Sequence, residues 1–231
     1  RLFYSAERMD MKIPYTQDQV NEACKAIVEK NSIIDGYVRP IAWRGAEMMG
    51  VSAQSTKINL AIAVWEWPSY FDPEQRLKGI RLTLSKWKRP SPETIPCDTK
   101  AAGLYMICTL SKHDAEKRGY ADSLMLDYEN YVAEATGANV FFIKEGEIHT
   151  PKPDCFLDGI TRRTVIAIAK KRGIKVIERK ILPEEMSDFS ECFLTGTAVE
   201  VTPVSEIAEY KFTPGEITKN LMEDYLNFVK N

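Results

Sequence analysis

The stretch Asn139–Thr150, NVFFIKEGEIHT, most narrows what this chain can fold into. Two strand-like runs meet at Glu145-Gly146 with no room for a crossover helix, so they must pair antiparallel. More strand-like runs surround this hairpin: Ser123–Asp127, Tyr131–Ala135, Ile174–Leu182 and Glu191–Val204, the last broken at Thr195-Gly196-Thr197. Helices are interspersed. Thr16–Asn31 opens with a capping-box pair, Thr16 and Gln19, and sets Val20, Ala23, Cys24 and Ile27 on one face. A second helix begins near Ala101, with Ala101, Leu104, Tyr105 and Cys108 on one face and Gly119 closing it. Gly159–Gly173 reads as a third, with Val165, Ile168 and Ala169 inward. Thr213–Val229 reads as a fourth, with Leu221, Tyr225 and Phe228 inward. Strands and helices alternate without βαβ spacing, which predicts an α+β fold.

The first third is separable. Tyr37–Trp43 predicts a strand after the turn Asp35-Gly36, and the apolar run Ile58–Trp67 predicts a strand buried on both faces. Two prolines and turn formers in Pro68–Gln75 mark a linker. The expected division is a small lobe at 1–67, a connecting loop at 68–77 and a larger lobe at 78–231 that opens with the strand-like GIRLTLSKW (Gly79–Trp87). The chain starts at Arg1, not Met, in what reads as a helix already in progress, so an N-terminal part is expected to be absent.

Charge and cysteines exclude several function classes. With 31 basic and 33 acidic residues the chain lacks the cationic excess of a nucleic-acid or anionic-membrane binder. The basic, aromatic run Ser85–Pro90 (SKWKRP) is read as a strand with one solvated face. Five scattered cysteines without a CxxC point to free thiols in a reducing, cytoplasmic compartment. Two histidines, not spaced as a pair, argue against a zinc site or a histidine-dependent triad. No apolar run approaches the roughly 20 residues of a membrane span.

Four features carry chemistry. Lys100 sits among small residues in CDTKAAGLYM, where a partly desolvated amine at a helix start would be activated toward carbonyls. Alternatively it is an inert surface lysine. Glu134 would share a strand face with Val132 and Thr136 and hold a cationic ring nitrogen, or simply face water. Leu157-Asp158-Gly159 leads into Ile160 and Thr161, whose free N–H groups suit an anion, or are merely capped. Thr195-Gly196-Thr197 makes a second possible anion cradle, or a bulge.

In this order, with YVRP, IPCDTKAAGLYM, RGYADSLMLD, VAEATGANVFFIKEGEIHTP, FLDGITR and LTGTAVEVTPV, the chain resembles the branched-chain amino acid aminotransferases of the fold-type IV pyridoxal phosphate enzymes. The resemblance runs along essentially the whole sequence. It implies two lobes, a small α/β one and a larger mixed-sheet, barrel-like one, as in D-amino acid aminotransferases. It implies pyridoxal 5'-phosphate held through Lys100, with Tyr105 on the phenolic oxygen and Glu134 on the pyridine nitrogen. Ile160, Thr161, Thr197 and Arg1 match the phosphate cradle, and Leu157 matches the residue packed on the ring. Tyr37, with main-chain N–H groups at Thr197 and Ala198, matches the substrate-carboxylate contacts. Arg39 matches the residue that receives the side-chain carboxylate of glutamate, in a wall that Met49 and Val51 would suit unless they serve as core. Trp67 and Tyr70 match the loop covering the pocket. The implied partners are small molecules (branched-chain amino acids, 2-oxo acids, glutamate), with assembly as a homodimer or higher homo-oligomer. A departure is the run Glu134-Ala135-Thr136-Gly137-Ala138-Asn139, which keeps the acid and Asn139 but lacks a second carboxylate common in the family. The family's first strands, which supply part of the substrate pocket, would precede Arg1. Related activities, D-amino acid transamination or aminodeoxychorismate lysis, share Lys100 and Glu134 but fit YVRP and TGTAVE less well. A non-catalytic homologue fits the intact lysine, tyrosine and acid poorly.

Overall fold

Thr16 and Gln19 start a helix where their spacing predicts one. Gln19 N–H donates to Thr16 Oγ1 at 3.2 Å and Thr16 N–H to Gln19 Oε1 at 2.8 Å, launching α2 (Gln17–Lys30) behind the short α1 (Leu2–Arg8). The computed structural model describes residues 1–67 and 77–230. It divides into two units, Arg1–Tyr70 with Thr99–Ala101 and Phe71–Asp98 with Ala102–Asn231. Residues 68–76, which hold most of the expected connecting loop, lie outside the described residues.

In the first unit β1 (Gly36–Arg44) and β2 (Ile58–Glu66) form an antiparallel ribbon in unbroken register, from Gly36 opposite Glu66 to Arg44 opposite Ile58. The helices α1 and α2 pack against it. The expectation that β2 is buried on both faces is not met: none of its residues is fully buried, and Ala61, Ala63 and Glu66 are exposed. The reason is topological. Among the described residues β2 has a single strand neighbour, β1, so its apolar run lacks the flanking strands and double helix cover of an interior strand. Met49 and Val51, expected to line a wall or a core, are fully exposed on the connection between the strands.

The second unit is built on a ladder that closes. β3 (Ile80–Leu84) pairs parallel with β4 (Asp122–Leu126), and β4 pairs antiparallel with β5 (Val132–Ala135). β5 pairs with β6 (Asn139–Lys144), β6 with β9 (Glu191–Gly196), and β9 with β10 (Glu200–Ile207), which returns to β3. The ring of six strands is a barrel, the mixed, barrel-like lobe expected. β7 (Glu147–Pro151) and β8 (Val176–Arg179) extend it beyond β6, and β11 (Tyr210–Lys211) extends it beyond β10. The Glu145-Gly146 hairpin forms as predicted, both residues at positive φ (52° and 78°), the twist that suits tight two-residue turns.

Period-two alternation explains the packing. Val140, Phe142, Cys192 and Leu194 join one core cluster with Leu82, Leu124 and Val204, whereas Phe141, Ile143 and Phe193 join a second with residues of α4 (Ile160–Lys171) and α5 (Glu216–Lys230). Phe141 and Phe193 stack at 4.8 Å. On α5, Leu221 and Tyr225 point inward as expected, but Phe228 is 58% exposed because the last turn runs past the sheet-facing cluster. A short 3-10 turn (Ala102–Leu104) leads into α3 (Tyr105–Lys117), and Gly119 closes it at φ 76°. The run Ser85–Pro90 is not a strand: β3 ends at Leu84, and Arg89 makes an isolated bridge to Asp127.

Candidate active site

The residues expected at the site divide between the two units. In the first unit, Arg1 caps the N-terminus of α1, and one turn later Ser5 is buried. Ser5 Oγ accepts the Lys100 N–H at 3.0 Å, which fastens the lysine's backbone to the helix that Arg1 begins. Lys100 is exposed, contrary to the expected desolvation, because it lies on an irregular segment between a turn and the 3-10 turn, with only small residues directly after it. A Cβ on Gly103 would meet nothing within 4 Å, so the small residues after Lys100 do leave open space. On the ribbon, Tyr37, Trp65 and Trp67 gather within 5.1 to 5.9 Å of one another, and Arg39 lies over the Tyr37 and Trp65 rings. Tyr70 lies outside the described residues.

In the second unit the acid is buried, not facing water. Glu134 is 8% exposed, and Arg89, at 3%, lies 3.4 Å from its carboxylate. Two charges out of water are tolerated only when paired and hydrogen-bonded. Arg89 Nη1 also reaches Cys108 Sγ at 3.3 Å and Leu104 O at 3.5 Å, and Nε reaches Cys155 O at 3.5 Å. The guanidinium therefore joins the acid to the start of α3, where Tyr105 is the first residue. Glu134 does not share the face of Val132. A register shift between Met125 and Leu126 lets both Val132 and Ala135 enter the inner cluster, which turns Glu134 the other way.

Asn139, opposite Glu134 across the β5–β6 pair, ties the acid to the anion motif. Its Nδ2 donates to Leu157 O at 2.9 Å and to Glu134 Oε2 at 3.4 Å, and its Oδ1 accepts the Gly159 N–H at 3.2 Å. Gly159 is the N-cap of α4 and offers no side-chain cap, so the N–H groups of Ile160 and Thr161 open the helix without one. A Cβ on Gly159 would stand 2.3 Å from Asn139 Oδ1, so a larger residue would push the Asn139 amide off its hydrogen bonds. The Thr161 hydroxyl is directed at Tyr225 Oη, 3.5 Å away, which leaves the backbone of Thr161 as its contribution to the cradle. Thr197 and Ala198 lie on the turn 197–199 joining β9 to β10; the expected break at Thr195-Gly196-Thr197 overlaps it at Thr197, while Thr195 and Gly196 end β9. Across from Asn139, the Thr195 hydroxyl is buried with no hydrogen-bond partner among the described residues. An uncapped helix start, a glycine closely approached by Asn139 and a buried hydroxyl without a partner among the described residues fit a phosphate-bearing group.

Arg89, Ser5 and the bridging role of Asn139 were missed from sequence. Arg89 was hidden in a run of exposed-looking cations, and the one available signal was conditional: a buried Glu134 would have demanded a cation partner. Ser5 carried no signal, since its partner is 95 residues away. Burial raises the thiols of Cys108 to about 11 and Cys155 to about 12, so neither is a nucleophile at neutral pH. Among the described residues no cluster of three or more histidine, cysteine or acidic side chains could hold a metal, and no helix is long and apolar enough to cross a membrane.

Known proteins resemble this chain along most of its length. The amino-transferase class IV family pattern matches residues 1–207. A branched-chain-amino-acid aminotransferase of Pseudomonas aeruginosa is 38% identical over 232 residues, 99% of this chain and 76% of that protein. The structure of the T.th. branched-chain amino acid aminotransferase with pyridoxamine 5'-phosphate superposes with a TM-score of 0.95 at 37% identity, over 98% of this chain and 76% of the other. The same enzyme complexed with N-(5'-phosphopyridoxyl)-L-glutamate gives 0.93 at 36% identity, over 98% and 75%. With a family pattern along most of its length and relatives above 30% identity along nearly all of it, the chain belongs to the class IV aminotransferases.

Proposed function

We propose that this chain is a pyridoxal 5'-phosphate-dependent aminotransferase that moves the amino group between leucine, isoleucine or valine and 2-oxoglutarate, in two half-reactions through one site. The observation that carries the reading is the connected set Arg89–Glu134–Asn139–Gly159, which joins an acid suited to a ring nitrogen to a helix start suited to a phosphate. Similarity to enzymes of this named activity supports the substrates.

When bound, the cofactor's ring supplies an electron sink for the charge left on the substrate's Cα. The protein's part is positional and acid–base. Lys100 Nζ would hold the cofactor, and its free amine would carry the proton between the substrate's Cα and the cofactor's C4′ carbon. Glu134, fixed by Arg89 and Asn139, would keep a proton on the ring nitrogen, and Tyr105 would donate to the phenolic oxygen. The N–H groups of Ile160, Thr161 and Thr197, with Arg1, would receive the phosphate, and Leu157 would pack on the ring, as the resemblance implies. Tyr37 and the N–H groups of Thr197 and Ala198 orient the α-carboxylate, and Arg39 receives a second carboxylate. Trp67 and Tyr70 exclude water. The protein works in the cytoplasm, as a homodimer or larger homo-oligomer.

The test is spectroscopic and kinetic. Protein loaded with pyridoxal phosphate should show the visible absorbance band of the lysine-held cofactor and transaminate L-leucine with 2-oxoglutarate. Lys100→Ala should remove both. Amino transfer from D-alanine but not from L-leucine would overturn the substrate assignment, and unchanged turnover in Lys100→Ala would overturn the mechanism.

A further inference from the structure

Arg39 is exposed, and among the described residues no carboxylate lies within ion-pair distance of it. A long, flexible cation in that position ordinarily samples many rotamers. Here it is held. Its guanidinium carbon is 5.1 Å from the Tyr37 ring centre and 5.3 Å from that of Trp65, within cation–π range of both. Strand register builds the arrangement. Tyr37 and Trp65 are direct partners across the ribbon and stack at 5.1 Å, an interplanar angle of 28°. Arg39 is two residues from Tyr37, hence on the same face, and its own partner is Ala63, too small to crowd it. Trp67 packs on both rings from the next same-face position, 5.2 and 5.9 Å away. Stacking uses the flat face of a guanidinium and leaves its N–H edge free for a carboxylate.

We propose that Trp65 is a specificity-determining positioning residue. With Tyr37 it forms an aromatic berth that pre-orients Arg39 for amino and oxo acids carrying a second carboxylate. The inference rests on the transaminase reading above, which requires one site to take both an apolar side chain and a dicarboxylate. The berth lowers the ordering cost of the arginine only for the dicarboxylate, since an apolar side chain makes no use of the N–H edge. Trp65 thus tunes the ratio between the two substrate classes without touching either.

The test compares wild type, Trp65→Leu and Trp65→Phe as holoenzymes, each assayed in both half-reactions. Trp65→Leu should raise KM for glutamate and 2-oxoglutarate by about threefold to tenfold. KM for leucine and the kcat of both half-reactions should move less than about twofold. Trp65→Phe, which keeps a ring, should recover most of the difference. Equal losses for both substrates would reduce Trp65 to a structural residue and overturn the proposal, as would an unchanged ratio. Wild-type turnover of leucine with 2-oxoglutarate tests the transaminase reading separately. Should wild type fail that assay, calorimetric titration of wild type and Trp65→Leu with 2-oxoglutarate still reads the berth: equal affinities overturn it, and a weaker variant supports it.

Discussion

The β1–β2 ribbon and strand β6 of the barrel are both rich in apolar residues, yet they serve opposite purposes. Five of the six β6 residues are buried, whereas no position in β1 or β2 is. The difference is neighbours: β6 pairs with β5, β7 and β9 and is covered by helices, and the ribbon strands pair only with each other among the described residues. The barrel therefore holds groups that must not move, Glu134 with Arg89 and Asn139. The ribbon carries an exposed cation, Arg39, on its aromatic rings. Burial in each region follows how many strand partners it has among the described residues.

The contrast can be broken by substitution. The largest effect is expected inside the barrel wall: Phe193→Ala should cost about 3–5 kcal/mol. Trp43→Ala, at 45% exposure on the ribbon, should stay within about 1 kcal/mol, and urea denaturation of both variants measures the gap. Arg89→Gln leaves Glu134 buried beside an uncharged group. It should cost about 3–5 kcal/mol, with loss of pyridoxal phosphate on dialysis, and a stable, cofactor-retaining variant would show the pair to be dispensable. Gly159→Ala forces the Asn139 amide aside and should cost about 1–3 kcal/mol, with cofactor affinity falling more than leucine affinity. Thiol labelling at pH 8 gives a gentler reading: iodoacetamide should modify half-buried Cys24 first, and Cys108, Cys155 and Cys192 only on unfolding, as mass spectrometry of labelled peptides would reveal. The smallest effect is at the barrel edge, where Arg81 and Lys211 hold the Glu206 carboxyl at about 2. A depressed acid stabilises above its ordinary pKa and loses that gain as pH falls through about 2. Glu206→Gln should therefore cost at most about 1 kcal/mol at neutral pH and nothing in strong acid, by thermal melts across pH.

Local signals translated directly into local structure. The capping box of α2, the Glu145-Gly146 hairpin and the glycine that ends α3 each depend on residues within a few positions of one another. The ordered motifs around Lys100, Glu134, Ile160 and Thr197 were likewise legible, because each is a short run with its own chemistry. What misled was burial. Ile58–Trp67 reads as an interior strand, and Arg89 reads as one more solvated cation, because apolarity and charge describe a residue and not the number of elements around it. The bulge beside Leu126, which turns Glu134 away from Val132, is equally invisible in a two-residue period.

The amino-acid sequence by itself determined most of the element types, Ser85–Pro90 apart, the α+β class and the candidate reactive groups, since those follow from side-chain chemistry and short-range spacing. Only the tertiary structure decided which of them are buried, paired or tied together. It closed six strands into a barrel, brought Arg89 to Glu134 across 45 residues of chain, let Asn139 join the acid to α4, and fastened Lys100 to Ser5. The physical reason is that a buried charge or hydroxyl must find its partner in space, wherever along the chain that partner happens to lie.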